Sequence, residues 1–366
     1  MLALLTGTVV FAVYVATGAR HVLGGDNGEF ASIFAHGGVA HPSGYPLYSL
    51  ILRAFQWIPH GSAAGGAAFV TSLIGLGAFV AMRAGAITWG ASRVAATLAA
   101  ALVALSPLAW SAATHAEVFA LHALVAAAIL AVVGPHCDRP PLVRALIIGL
   151  LAGFGLSNNL SIVTLAPLGL YGAWVAVRDA AHRGRALATG FAGLGIGLTP
   201  YLWLYAVARR GEAPLVWGEF DSIADLFRHA TRSDYGTLQL AISDAAPDRL
   251  GHVTRMVGHL FADLHYLPMA VAIVGVLALF RRNEAPPEVA SPGRPRAPSI
   301  STEVVPVPLH RRAVRATIEA PSIAPPPRRD AFEIPPAAAI AWVAAWLLAG
   351  PVFAAQFNLP LEGLAL

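Results

Sequence analysis

The stretch Leu2–Ser49 reads LALLTGTVVFAVYVATGARHVLGGDNGEFASIFAHGGVAHPSGYPLYS. Residues 2–18 are almost wholly apolar and just long enough to cross a bilayer, which takes about 17–25 residues of α-helix. Directly behind them come two carboxylates, Asp26 and Glu29, two histidines, His36 and His41, and a turn rich in Gly and Pro. Apolar segments then resume and dominate the chain. A membrane span followed at once by a polar, conformationally special loop sets the frame for everything else.

Composition agrees with that frame. Of the 366 residues, 57% are hydrophobic and 12% charged, where a soluble domain carries about a quarter charged residues. Mean hydropathy is +0.64. The fold class is an all-α polytopic membrane protein. A β-barrel would show short alternating strands instead. The single Cys137 excludes an internal disulfide or a cysteine-built metal cluster. The isoelectric point near 9.6 does not point to nucleic acid. All 24 basic residues are Arg, and many flank apolar spans, as membrane topology requires. Residues 2–18 lack a basic leader and a clean small-x-small cleavage site, so they read as a retained span.

The apolar pattern predicts spans at 2–18, 63–82, 94–109, 114–134, 142–156, 160–177, 186–207, 259–280 and 337–357, with a break at Pro107. Arginines concentrate in alternate connections: Arg83 and Arg93; Arg139 and Arg144; Arg178, Arg183 and Arg185; then nine between 281 and 336. The positive-inside rule makes these cytoplasmic, together with the N-terminus. The opening loop (20–62), the turns at 106–117 and 155–161, and the loop 208–258 then face outward. The expected domains are 1–280 (transmembrane), 281–336 (linker) and 337–366 (last span and tail). The linker holds thirteen of the 27 prolines and reads as a disordered cytoplasmic tether.

Within the outward loops, Asp26-Asn27-Gly28-Glu29 has capping-box spacing. On the helix behind it Glu29, Ser32 and His36 share a face. His41-Pro42-Ser43-Gly44-Tyr45-Pro46 is a rigid turn in which Gly44 permits positive φ and Pro46 opens a helix. That helix carries Ser49, Arg53 and Gln56 on one stripe, as an interfacial helix would. His115 and Glu117 sit at the outer end of a span, where ionisable groups suggest function. Their spacing with His122 is poor for a metal. Asn158 and Asn159 either cap a helix or meet sugar hydroxyls. "GLGIG" at 193–197 lies within a span and suits close helix packing rather than phosphate. Ser222 and Asp225 form a second capping box. Behind it Ile223, Leu226 and Phe227 are the apolar residues, while Arg228, His229, Arg232 and Tyr235 fall on the polar side and at the exit. Arginines there suit a lipid phosphate or ordinary headgroups equally.

The segment 24–62 closely resembles the signature of the DUF2723 family, GT-C-like membrane proteins related to protein O-mannosyltransferases. The matching elements are "DNGEF", "GGVAHPSGYPLY", the Leu/Arg helix and the "PHGS" turn. "AEVFALHAL", "GLSNNLS", "LTPYLWLYAVARR", the W-G…F-R-H…Y-G loop and "GPVFAAQFNLP" follow in the family's order. Ser43 stands where the family has Pro, and Asn159 where His is expected. Relatives commonly carry more spans, so this chain reads as a fragment or a reduced form.

The resemblance implies a GT-C-like bundle and a membrane glycosyltransferase acting at the outer surface. It would move a mannose-like sugar from a polyprenyl-phosphate donor to an acceptor hydroxyl with inversion. Asp26 would be the base or an acceptor-binding carboxylate, and Glu29 the second catalytic candidate. Donor-binding candidates are His41, Tyr45, His115, Glu117, Asn158, Asn159, Arg210, Arg228, Arg232 and Tyr235. Partners would be the lipid bilayer, the lipid-linked donor and a protein or glycan acceptor. No metal ligand is assigned and no cofactor is indicated, although the chemistry admits a divalent cation. The bacterial inner membrane is the expected location. The alternative is a non-catalytic scaffold or transporter on the same fold. A transporter places charges deep in its spans, whereas these cluster outward.

Overall fold

The computed structural model describes residues 1–58, 61–235, 250, 251, 253–255, 258 and 335–347, all within one compact unit. The expected span 259–280 and linker residues 281–334 lie outside the described residues. Every regular element among the described residues is helical, so the chain is an all-α polytopic membrane protein. Among the described residues, four helices are long and apolar enough to cross a membrane, or five if one bent pair counts as a single span.

Helix α1 is Leu2–Thr17. α2 (Asn27–His36) and α3 (Pro46–Ala54) fill the first loop. α4 (Ala63–Thr88) follows. At 26 residues and about 1.5 Å per residue it is ~39 Å long, more than a bilayer core requires. Ser62 starts it: its hydroxyl accepts from Gly65 N at 3.0 Å and donates to Arg20 O at 2.6 Å, tying the loop's two ends together.

α5 (Arg93–Ala104) and α6 (Pro107–Thr114) meet at 69°. The break falls at Pro107, as its missing N–H dictates, but the chain stays helical beyond it. The next span therefore starts at Phe119, with α7 (Phe119–Val133), rather than at 114. α8 (Pro141–Asn158) is followed by a 3-10 turn at Leu160–Leu165 and by α9 (Ala166–Arg178). α10 (Arg183–Leu198) and α11 (Pro200–Arg210) together form the span expected at 186–207, interrupted before Pro200. α12 (Ile223–Ala230) lies in the second large loop, and α13 (Pro336–Leu347) begins the last expected span.

α4 is the hub, packing against α1, α2, α5, α6 and α7. α8 and α10 approach through small residues. A Cβ on Gly149 would sit 2.0 Å from Gly190 O, and one on Gly197 would sit 2.5 Å from Leu150 O. This bears out the packing role read for 193–197. On the side carrying the arginines, buried Arg144 donates to Val133 O at 2.8 Å, satisfying the carbonyl end of α7.

The first loop differs from expectation. Phe30, Ile33 and Phe34 of α2 and Tyr48 and Leu52 of α3 are fully buried, in one cluster with Val70, Leu121 and Val125. Two of the three residues on the expected polar stripe, Ser49 and Arg53, meet protein, while Gln56 is exposed. Ser49 is fully buried, and Arg53 donates to Phe34 O and Ala35 O at the end of α2. Those orphan carbonyls draw the guanidinium inward. α3 is thus packed against the protein along this face, while residues 54–57 at its end are exposed.

Candidate functional site

The site grows from the start of α2. Asp26 is its N-cap residue by position, but its side chain makes no capping bond. The expected capping box is therefore absent, and the reason is Glu29. Its carboxylate accepts from the backbone N–H of His41 at 2.8 Å and from the His41 ring Nδ1 at 2.7 Å. A carboxylate engaged twice by a residue twelve positions on cannot also reach back to its own helix start. The Ser222–Asp225 box on α12 does form.

Because a carboxylate only accepts, His41 Nδ1 carries a proton, and Nε2 faces the other way. There Tyr45 Oη lies at 3.1 Å and Asp26 Oδ2 at 3.8 Å. Asp26 is 47% exposed, while Glu29 and His41 are largely covered at 13% and 19%. Burial works against a charged His41, but the Glu29 hydrogen bond and the charges of Asp26 and Glu29 outweigh it and raise its pKa. Burial raises Asp26 too, and His41 partly offsets this. Burial takes the Tyr45 hydroxyl to about 12.

Glu117 arrives from the 115–118 connection. Burial, then the Asp26 charge, pushes its carboxyl to about 7, opposed by a hydrogen bond with the Asp26 backbone. A Cβ on Gly25 would lie 3.4 Å from its Oε1, so the two loops touch. Three carboxyls thus crowd one imidazole; burial is the largest cause of the raised values of Asp26, Tyr45 and Glu117, and neighbouring negative charge adds to it. The charge of Arg232 reaches Asp26, His41 and Tyr45.

The second loop closes the site. Val39 and Val216 pair as a parallel bridge: Val39 N donates to Leu215 O at 2.9 Å, and Trp217 N donates to Val39 O at 3.2 Å. Gly38 makes this approach possible, since a Cβ there would meet Leu215 O at 2.4 Å. His229 of α12 is 4% exposed, and its Nε2 lies 3.0 Å from Ala40 O. A carbonyl only accepts, so Nε2 is the protonated nitrogen. Burial lowers this histidine to about 4, keeping it neutral. Gly44, at φ +86, leaves room for that ring; a Cβ would come within 3.0 Å of it. The result is a cavity of about 490 Å³ lined by Gly25, Asp26, Gly28, Glu29, Ser32, His41, Leu215 and Trp217.

Asp26, Glu29, His41, Tyr45 and Glu117 therefore come together, with Arg232 in electrostatic reach. Other candidates have separate tasks. His115 Nδ1 bonds Ser111 O at 2.8 Å. Asn158 is buried and donates to Val118 O, while Asn159 caps the 3-10 turn through Ser161. Arg210 is exposed at the end of α11, and Arg228 pairs with Asp225. The side chain of Tyr235 lies outside the described residues. His229 is on the buried face of α12, not the polar one, while Ile223 and Phe227 are exposed. Sequence reasoning missed Trp217 and Leu215 as site residues. Their signals were the W-G…F-R-H…Y-G pattern of the family resemblance and, for Trp217, an aromatic residue beside a glycine in an outward loop. Asp26, Glu29 and His41 offer ligand atoms within 4.8 Å of one another, a two-oxygen, one-nitrogen set that a divalent cation accepts.

Fold and site together define a polytopic membrane protein with an acidic, histidine-centred cavity built from two loops. The family model of the protein O-mannosyl-transferase TMEM260 N-terminal domain matches residues 26–182, beginning at Asp26. The chain is 26% identical over 286 residues to protein O-mannosyl-transferase tmem260 of Dictyostelium discoideum, covering 73% of this chain and 35% of that protein. To protein O-mannosyl-transferase TMEM260 of Mus musculus it is 26% identical over 282 residues, covering 75% and 40%. The likeness is to an O-mannosyltransferase-like membrane family, and the chain spans under half the length of these relatives, both eukaryotic. No solved structure matches the chain.

Proposed function

We propose that this chain is the membrane-embedded catalytic part of a glycosyltransferase with a GT-C-like bundle. It transfers a mannose-like sugar from a polyprenyl-phosphate donor to an acceptor hydroxyl, on a protein in keeping with the relatives' names, at the extracytoplasmic face. The acceptor oxygen bonds to the anomeric carbon as the bond to the phosphate oxygen breaks. The electron pair leaves with the phosphate, and the hydroxyl proton passes to Asp26. Attack opposite the leaving group inverts the anomeric centre. A phosphate is already a stable leaving anion, so an acid is not required, unlike in glycoside hydrolysis.

The observation that carries this reading is the unequal state of the three carboxyls. Glu29 is engaged at both oxygens by His41. Glu117 has its pKa pushed to about 7 and is half-buried. Asp26 alone of the three is half exposed while lining the cavity, and its raised pKa suits a general base. His41, held by Glu29, lies 3.8 Å from the Asp26 carboxylate and favours its charged form electrostatically.

The test is transfer from radiolabelled polyprenyl-phosphate mannose in membranes bearing the chain, with the product's anomeric configuration read by NMR. Label in an acceptor with inverted configuration supports the reading. Retention of configuration, or no transfer, overturns it.

A further inference from the structure

Building on that reading, we propose that Trp217 is the platform on which the donor's hexose ring lies, with Asp26 and Ser32 forming the polar rim of the same subsite. Three observations carry this. Trp217 lines the cavity that holds Asp26 and His41, its ring centroid 6.5 Å from that of His41. It is 44% exposed, so the contacts that hold its loop do not bury it. And its backbone is fixed: the Val39 bridge, the close approach at Gly38 and the His229 contact to Ala40 hold its loop against the residues around His41.

Chemistry selects the ligand. A pyranose has an apolar C–H face and a rim of hydroxyl donors. An aromatic ring beside carboxylate acceptors complements both, since the ring supplies broad apolar contact and the carboxylates accept hydroxyl protons. A phosphate is disfavoured against this wall, which presents two carboxylates and one imidazole, the charge of Arg232 reaching Asp26 and His41 from outside the lining. The neutral sugar therefore belongs in this cavity and the phosphate outside it. At about 490 Å³ the cavity falls within the ~300–1,000 Å³ range of small-molecule sites. Trp57 and Trp174 are also exposed, at 72% and 53%, but they do not line this cavity; membrane-interface anchoring suffices for them.

The experiment uses the full chain in lipid nanodiscs and measures binding and transfer separately. The probes are tritiated polyprenyl-phosphate mannose and sugar-free polyprenyl phosphate. Trp217→Ala should weaken binding of the mannosylated lipid and raise its KM about tenfold, the size of one good aromatic contact. Trp217→Phe should stay within about threefold of wild type, because the ring is kept. Sugar-free lipid should bind wild type and Trp217→Ala alike. The platform is overturned if Trp217→Ala binds the mannosylated lipid normally, if both lipids lose affinity equally, or if wild type binds no mannosylated lipid. Binding that depends on Trp217 without any transfer would uphold the platform and refute the transfer reading.

Discussion

At the scale of single residues, the site is governed by burial first and by its excess of negative charge second. Asp26, His41 and Glu117 all have raised pKa values in the folded chain. A raised value means that the folded state holds its proton more tightly than the unfolded state. Stability is then greatest below the unfolded pKa and is lost as pH rises through the folded one. For Glu117 the window runs from 4.5 to about 7, and the loss is on the order of 2 kcal/mol once solvent screening is allowed for. Thermal denaturation of the purified protein should thus show stability falling across that window. Glu117→Gln should flatten the fall and stabilise the protein at pH 8. An unchanged slope in Glu117→Gln would show that Glu117 does not hold its proton. Glu29→Gln keeps the shape of the side chain but removes the charge that raises His41. It should shift the pH profile of activity to lower pH and cut transfer about 10- to 100-fold. An unaltered profile would detach Glu29 from His41 function.

At the scale of elements, the site exists because two loops are stapled together. Gly38 lets Val39 pair with Val216, and no side chain fits there without moving Leu215. Gly38→Ala should therefore reproduce the donor-affinity defect of Trp217→Ala while leaving that indole in place; normal donor affinity would remove the bridge from the argument. Much of the helical layout was legible in sequence. Pro107 and Pro46 mark helix starts, Ser222-x-x-Asp225 caps α12, and the glycines of 193–197 let α8 and α10 touch. These signals are local, resting on backbone sterics and nearby hydrogen bonds. The failures were long-range. Asp26-x-x-Glu29 satisfies the capping pattern, yet Glu29 chose His41 because burial rewards a charge-assisted bond over a weak cap. The stripe on α3 looked wet because periodicity tells which residues share a face, not what that face meets. Trp217 was invisible as a site residue because a bridge 177 positions long, Val39 to Val216, brings it to His41.

At the scale of the whole molecule, the arginine distribution and the cavity make a joint statement about sidedness. If Arg-flanked connections lie inside, the cavity opens outward. The chain carries a built-in reporter, its single Cys137, in the connection between α7 and α8. A membrane-impermeant maleimide added to intact cells should leave Cys137 unlabelled. Gly61→Cys in a Cys137→Ala background should label readily, since position 61 is exposed and has open space for a side chain. The opposite pattern would invert the topology and move the proposed chemistry to the cytoplasm. The central claim is that Asp26 takes the acceptor's proton. The most direct test compares wild type and Asp26→Asn at matched amounts in membranes, with saturating radiolabelled polyprenyl-phosphate mannose. The account predicts that Asp26→Asn loses at least about 100-fold in kcat, the lower range for general-base catalysis, while still binding the donor. Equal transfer by the two proteins would contradict it.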